Sequence, residues 1–235
     1  PDAFDCIILD EAHHSSNNIY TKVINYFKPK LFLGMTATPD KRDDNQQGKN
    51  IYEIFHYQIA YEIRLQQAME EDLLCPFHYF GISEIVSLDD KMLQATKLTD
   101  AAFNQLTSDE RVRHIIEQSE YYGYSGNRVK GLIFCSRVKE CEELSKKFNE
   151  LGYRTVALSG NDNEDKRQEA FERLAMDEED ATEDRQPLDY IFSRDILNEG
   201  VDIVEVNQVI MLRPTQSPIV FIQQLGRGLR KAPGK

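Results

Sequence analysis

Short apolar runs alternate along the chain with polar clusters that lead into helix-like stretches. Residues 4–9 run into Asp10-Glu11, and residues 31–35 into Thr36-Ala37-Thr38-Pro39. Residues 131–135 run into Ser136-Arg137, and 155–158 into Ser159-Gly160. Residues 190–192 end in Ser193-Arg194-Asp195, and 209–212 in Arg213-Pro214. Runs of this kind, apolar at consecutive positions, mark strands buried on both faces, as in a parallel sheet covered by helices. The stretch 137–151 carries Val138, Cys141, Leu144 and Phe148 at helical spacing, and 109–121 and 163–174 read the same way. A further helix is expected after Ser217-Pro218, a cap followed by proline at the first helical position. The pattern predicts an α/β chain with parallel sheets. In such sheets ligands gather beyond the carboxyl ends of the strands, which is where the polar clusters stand.

The middle of the chain is less regular. Residues 41–50 read as a polar loop, 57–71 as a strand followed by a helix, and 77–82 as another strand; 88–107 fits neither period well. The expected organisation is two lobes, 1–105 with the connecting segment and 106–235, the first holding two strong strand ends and the second four.

Composition narrows this picture only slightly. With 40% hydrophobic and 29% charged residues the chain reads as globular. No stretch reaches the roughly 18 apolar residues of a membrane span, and no membrane partner is expected. The four cysteines form no C-x-x-C pair, which points away from zinc and toward a reducing, cytoplasmic setting. A net charge of -12 weighs against nucleic acid, yet the run 177–184 alone supplies six of the carboxylates, so a local basic groove elsewhere stays open.

Asp10-Glu11-Ala12-His13 closes the first buried run. A carboxylate at a strand end can hold Mg²⁺ against nucleotide phosphates while its neighbour handles the attacking water. Two other readings remain at this point: a hydrolytic metal centre built on Asp10, His13 and His14, as in a nuclease, and a lobe that binds nucleic acid or a partner without turnover. Near the C-terminal end, Gly226 and Gly228 flank Arg227, and Arg230 follows one helical turn later, so both guanidiniums can share a face.

These segments resemble, in order and spacing, the helicase core of superfamily 2. Asp10-Glu11-Ala12-His13 is similar to its motif II (a DEAH box), Thr36-Ala37-Thr38 to motif III, and residues 133–137 to motif IV. Residues 198–203 are similar to motif V and residues 223–230 to motif VI. The wording is closest to a bacterial DEAH-type branch often fused to a phospholipase-D-like nuclease domain. The resemblance implies RecA-like lobes, ATP and Mg²⁺ as cofactors, and a nucleic-acid partner, DNA favoured over RNA. It assigns Mg²⁺ to Asp10, water activation to Glu11, and transition-state charge to Arg227 and Arg230. Nucleotide contact falls to Gly200, Asp202 and Gln223, and coupling of hydrolysis to movement to His13, Thr36 and Thr38. The nucleic-acid backbone falls to Ser136, Arg137, Ser159, Gly160, Ser193 and Arg194. Gln224 stands where the family often has arginine, so no finger is assigned there. Arg194 replaces the family's usual Thr or Val.

No G-x-x-x-x-G-K-[S/T] occurs in the sequence. The family's phosphate-binding loop precedes motif II, so the expectation is a motor core whose loop lies upstream and which is inactive alone. The first lobe is expected to be incomplete and to fray, swap or pack against a neighbour, and the second to be complete.

Overall fold

The computed structural model describes residues 1–12, 18–36, 51–85, 98–194, 206–212 and 226. The chain divides into two compact units, Pro1–Arg64 and Leu65–Lys235.

The second unit is built on a parallel sheet of β3 (Gly131–Phe134), β4 (Thr155–Leu158), β5 (Tyr190–Ser193) and β6 (Gln208–Met211), in spatial order β4-β5-β3-β6. Alternation along β3 explains why its run is apolar throughout. Ile133 and Cys135 face one core cluster, where α5 (Asp109–Tyr122) supplies Val112 and Ile115 and α6 (Val138–Glu150) supplies Cys141, Leu144 and Phe148. Leu132 and Phe134 face the other, with Ala170 and Leu174 of α7 (Glu164–Ala175). Both faces are therefore covered, as the uninterrupted hydrophobic runs require. Helix starts are set locally: Ser108 Oγ accepts from the Arg111 amide at 3.3 Å, and Asn163 Oδ1 accepts from the Lys166 amide at 2.9 Å. Gly123, with φ of 69°, ends α5.

At the outer edge of the sheet, the Asn149 side chain closes on Thr155 from both sides. Its amide oxygen accepts from the Thr155 N–H at 2.7 Å and its NH₂ donates to the Thr155 carbonyl at 3.2 Å. Two residues beyond Ala157, the Ser159 N–H donates to Asp162 at 2.6 Å.

The first unit holds β1 (Cys6–Leu9) paired in parallel with β2 (Leu31–Gly34), with α1 (Asn18–Tyr26) between them in sequence and the short α2 (Ile51–Ile54) after them. Leu9, Ala12 and Ile51 form its buried cluster, flanked by Ile7, Phe32 and Phe55. On the opposite face of the same ladder, Ile8 and Leu31 are each 55% exposed, so among the described residues this sheet is covered on one side.

Two expectations differ from what is observed. The run 57–64 forms no strand: His56 and Tyr57 take φ of 53° and 58°, and Tyr57, Ile59 and Tyr61 end exposed. The helical half of that reading is present as α3 (Leu65–Glu70). Residues 77–82 likewise join no ladder and instead lie against α5, where Phe80 stacks on Tyr122 at 4.0 Å. The second unit begins at Leu65, and this strap packs within it. His114 Nε2 meets the Ser83 carbonyl at 3.2 Å, and Arg111 pairs with Glu84 at 2.7 Å. The ambiguous stretch contains α4 (Asp100–Leu106), capped by Thr99. The helix expected after Ser217-Pro218 lies outside the described residues. No helix among the described residues is long and apolar enough to cross a membrane.

Candidate functional site

In the first unit the carboxyl ends of β1 and β2 are clipped together. The Met35 N–H donates to the Leu9 carbonyl at 2.9 Å, and the Ala12 N–H donates back to the Met35 carbonyl at 2.8 Å. Gly34 makes this approach possible: a Cβ there would sit 2.9 Å from Ala12 Cβ and 2.4 Å from the Phe55 ring. The chain between the clips carries Asp10 and Glu11. Glu11 adopts φ of 47°, in the left-handed region that an L side chain enters at a cost, and its amide donates to Asp10 Oδ1 at 2.9 Å. The two carboxylates consequently part. Asp10 is exposed, while Glu11 is half-buried with Oε2 shielded from solvent. Thr36 follows Met35 at the adjacent strand end, so Asp10, Glu11 and Thr36 share one edge.

That edge fits a hard divalent cation held partly by a ligand's phosphates, which takes one or two protein carboxylates and keeps several waters. Among the described residues no group of three or more His, Cys, Asp or Glu side chains could hold a metal alone. His13, and His14 of the alternative metal centre, lie outside the described residues, as do Thr38, Gly200, Asp202, Gln223, Arg227 and Arg230.

In the second unit, three predicted pairs stand where expected, at the carboxyl edge of the four-stranded sheet. The register sets Phe134 and Leu158 each beside Ser193. Their side chains differ from expectation in detail. Ser193 is fully buried, its hydroxyl out of reach of any external strand, whereas Arg194 beyond it is exposed. Ser136 spends both donors internally: its N–H and Oγ–H donate to Glu140 Oε2 at 2.9 and 2.6 Å. What this turn can offer an anion is the half-buried Arg137, the residue capping α6. Ser159 donates likewise to Asp162, and the Gly160 carbonyl accepts from Arg167 at 2.9 Å.

Two cations at this edge went unnoticed in the sequence. Lys166 and Arg167 lie in the first turn of α7, Lys166 paired with Asp162 and Arg167 reaching the 159–160 loop. Their position was a usable signal, since the helix dipole disfavours cations in a first turn unless another interaction holds them. The Lys166 hydrogen bond keeps the Asp162 carboxyl below the usual aspartate range.

The acidic run lies at the other edge. Asp177 pairs with Lys130 at 2.9 Å and Glu178 with Arg154, residues that precede β3 and β4. Part of the negative charge is thus matched internally, at the amino ends of the strands and away from the candidate site.

Two family models match the chain. Residues 109–232 match the helicase conserved C-terminal domain, and residues 1–41 match the res subunit of type III restriction enzymes. Among curated relatives, the putative ATP-dependent helicase IRC3 of Saccharomyces cerevisiae is 22% identical over 231 residues, 95% of this chain. This chain spans only 32% of that relative's length. The fragment structure of a putative HsdR subunit of a type I restriction enzyme from Vibrio vulnificus superposes with a TM-score of 0.71 at 24% identity, covering 97% of this chain and 41% of that one. The ATP-dependent type ISP restriction-modification enzyme LlaBIII, solved bound to DNA, gives 0.68 at 23% identity, over 100% of this chain and 18% of that one. Both solved structures share the α/β fold with parallel sheets.

Proposed function

Since the chain belongs, through residues 109–232, to the helicase conserved C-terminal domain family, we propose that it forms part of an ATP-driven motor acting on nucleic acid. The observation that carries the proposal is the clipped strand end of the first unit, where Asp10 and Glu11 part into an exposed and a half-buried carboxylate. Asp10 would hold Mg²⁺ beside the nucleotide phosphates, and the cation supplies charge neutralisation there when bound. Glu11 would orient the water, and its shielded oxygen keeps one lone pair away from bulk solvent. Thr36 is the neighbour through which a change at the phosphates would be felt. Arg227 and Arg230 would supply positive charge as phosphoryl transfer proceeds, with Gly200, Asp202 and Gln223 at the nucleotide and His13 and Thr38 in coupling.

On the second unit, Arg137, Arg194, Lys166, Arg167 and the 159–160 loop form the proposed nucleic-acid edge, and a family match that starts at residue 109 supports a lobe boundary near 105. DNA is favoured over RNA by the likeness to restriction enzymes, one of them solved on DNA. Four free thiols support a reducing, cytoplasmic setting.

The sequence holds no G-x-x-x-x-G-K-[S/T] loop, so hydrolysis would fall to an assembly that adds one. Phosphate release is the test. The chain alone should release none, whereas a protein joining it to such a loop should show DNA-stimulated turnover that Glu11→Gln abolishes. Full turnover by the Gln variant would overturn the assignment of Glu11. DNA binding with no turnover in the joined protein would favour the binding-only reading.

A further inference from the structure

Among the described residues of the second unit, Arg111 on α5 is a cation buried almost completely, 1% exposed. Its guanidinium is committed on every side. Nε and Nη2 donate to Glu84 at 3.0 and 2.7 Å, and Nη1 donates to Glu140 Oε1 at 2.8 Å and to the Leu106 carbonyl at 2.7 Å. Nη2 also reaches the Leu212 carbonyl, just past β6, at 3.4 Å. Burial opposes its charge, but the hydrogen bonds it donates to Glu84 and the charge of Glu140 outweigh that and hold its pKa above the ordinary value.

Glu140 stands between Arg111 and the carboxyl edge of the sheet. It is fully buried, and its second oxygen takes both donors of Ser136. A continuous line of charged hydrogen bonds therefore runs from the strap at Glu84, through Arg111 and Glu140, to the turn that presents Arg137. A salt bridge meant only to staple α5 to α6 has no need of a partner on the strap or of Ser136. We infer that Arg111 is a positioning residue, which with Glu84 and Glu140 fixes the Ser136–Arg137 turn for contact with a nucleic-acid phosphate. The inference rests on the nucleic-acid edge proposed above. It adds that the strap sets the geometry of that edge, so displacing the strap loosens the grip of the second unit without touching a contact residue.

The experiment uses the 235-residue chain, with Glu84→Ala and Glu84→Gln as variants, because Glu84 is the partly exposed end of the line. Two quantities are read: amide exchange at Ser136, and binding of a fluorescein-labelled single-stranded oligonucleotide across a salt series. Glu84→Ala should speed Ser136 exchange about tenfold or more while Ile133 in β3 stays protected. It should also weaken binding about five- to tenfold and flatten the salt slope by roughly 0.7, one phosphate contact on a single strand. Glu84→Gln, which keeps one acceptor for Arg111, should recover most of both. Unchanged Ser136 exchange overturns the inference. So does faster exchange with affinity and salt slope intact, which would leave the line a staple. Wild-type chain that binds no oligonucleotide overturns the reading beneath it instead, and is recognised because it needs no variant.

Discussion

Glu140 makes the sharpest energetic prediction. Its carboxylate is 0% exposed and takes three hydrogen bonds: from Arg111 at 2.8 Å on one oxygen, and from the Ser136 N–H and Oγ–H at 2.9 and 2.6 Å on the other. Removing one partner of a buried pair costs about 3–5 kcal/mol, because the remaining charge is stranded. Arg111 keeps Glu84 and the Leu106 carbonyl, so Glu140→Ala belongs at the lower end, about 3 kcal/mol. Glu140→Gln looks conservative and is not. All three groups facing the carboxylate are donors, and an amide has only one oxygen, so its NH₂ must oppose either Arg111 or Ser136. One charged hydrogen bond is then lost and a donor set against a donor, for about 1.5–3 kcal/mol. Urea unfolding followed by far-ultraviolet circular dichroism measures both. The midpoint should fall for each variant with the slope unchanged, and further for Ala than for Gln. A Gln variant indistinguishable from wild type would refute the all-acceptor reading of Glu140, and with it the line to Ser136.

Other expectations concern both units. Gly34→Ala drives a methyl into the Phe55 ring and Ala12, and should destabilise the first unit by about 1–3 kcal/mol. Thermal melts of the chain and loss of Ala12 amide protection would show it, and wild-type values in both would contradict the clip. Tyr190 is pushed up to about 12, first by burial, so the fold favours its neutral phenol. Its stabilising contribution is whole below the ordinary value near 10 and lost as pH climbs toward the raised one, so Tyr190→Phe should flatten the alkaline loss of stability. Tyrosinate absorbance should show one fewer late-titrating phenol in that variant. Asp162 is shifted the other way, by the Lys166 hydrogen bond first, so its contribution is present above the ordinary value near 4 and disappears as pH falls through the depressed one. Amide exchange at Ser159 should rise over that acidic interval in wild type and be fast at all pH in Asp162→Ala.

The four-stranded sheet was legible because its strands are buried on both faces. Residues such as Leu132 and Ile133 point opposite ways and are both apolar, a pattern that short amphipathic strands lack. The helix starts at Ser108 and Asn163 were legible for local reasons, since a cap bonds to an amide three residues away. The strap was misread because alternation reports which side chains are apolar and not whether a neighbouring strand exists to pair with. Phe80 found an aromatic ring on α5 instead of a ladder. Asp10 and Glu11 stood out by motif, but the roles of Arg111, Glu140 and Asp162 did not. Arg111 and Glu140 stand 29 positions apart, and only the fold brings them together, while Asp162 acts over three positions in a loop that no periodicity marks.

Asn149 has a bearing on solubility that its place on α6 would not suggest. By holding both the N–H and the carbonyl of Thr155, its carboxamide impersonates a rung of a neighbouring strand, and Asp162 does half of this at Ser159. A second chain laid alongside β4 would find Ala157 as the one rung between two plugged positions, too little to nucleate a ladder. Two side chains thus guard a border that would otherwise invite aggregation, and replacing Asn149 by alanine would open it without disturbing the core.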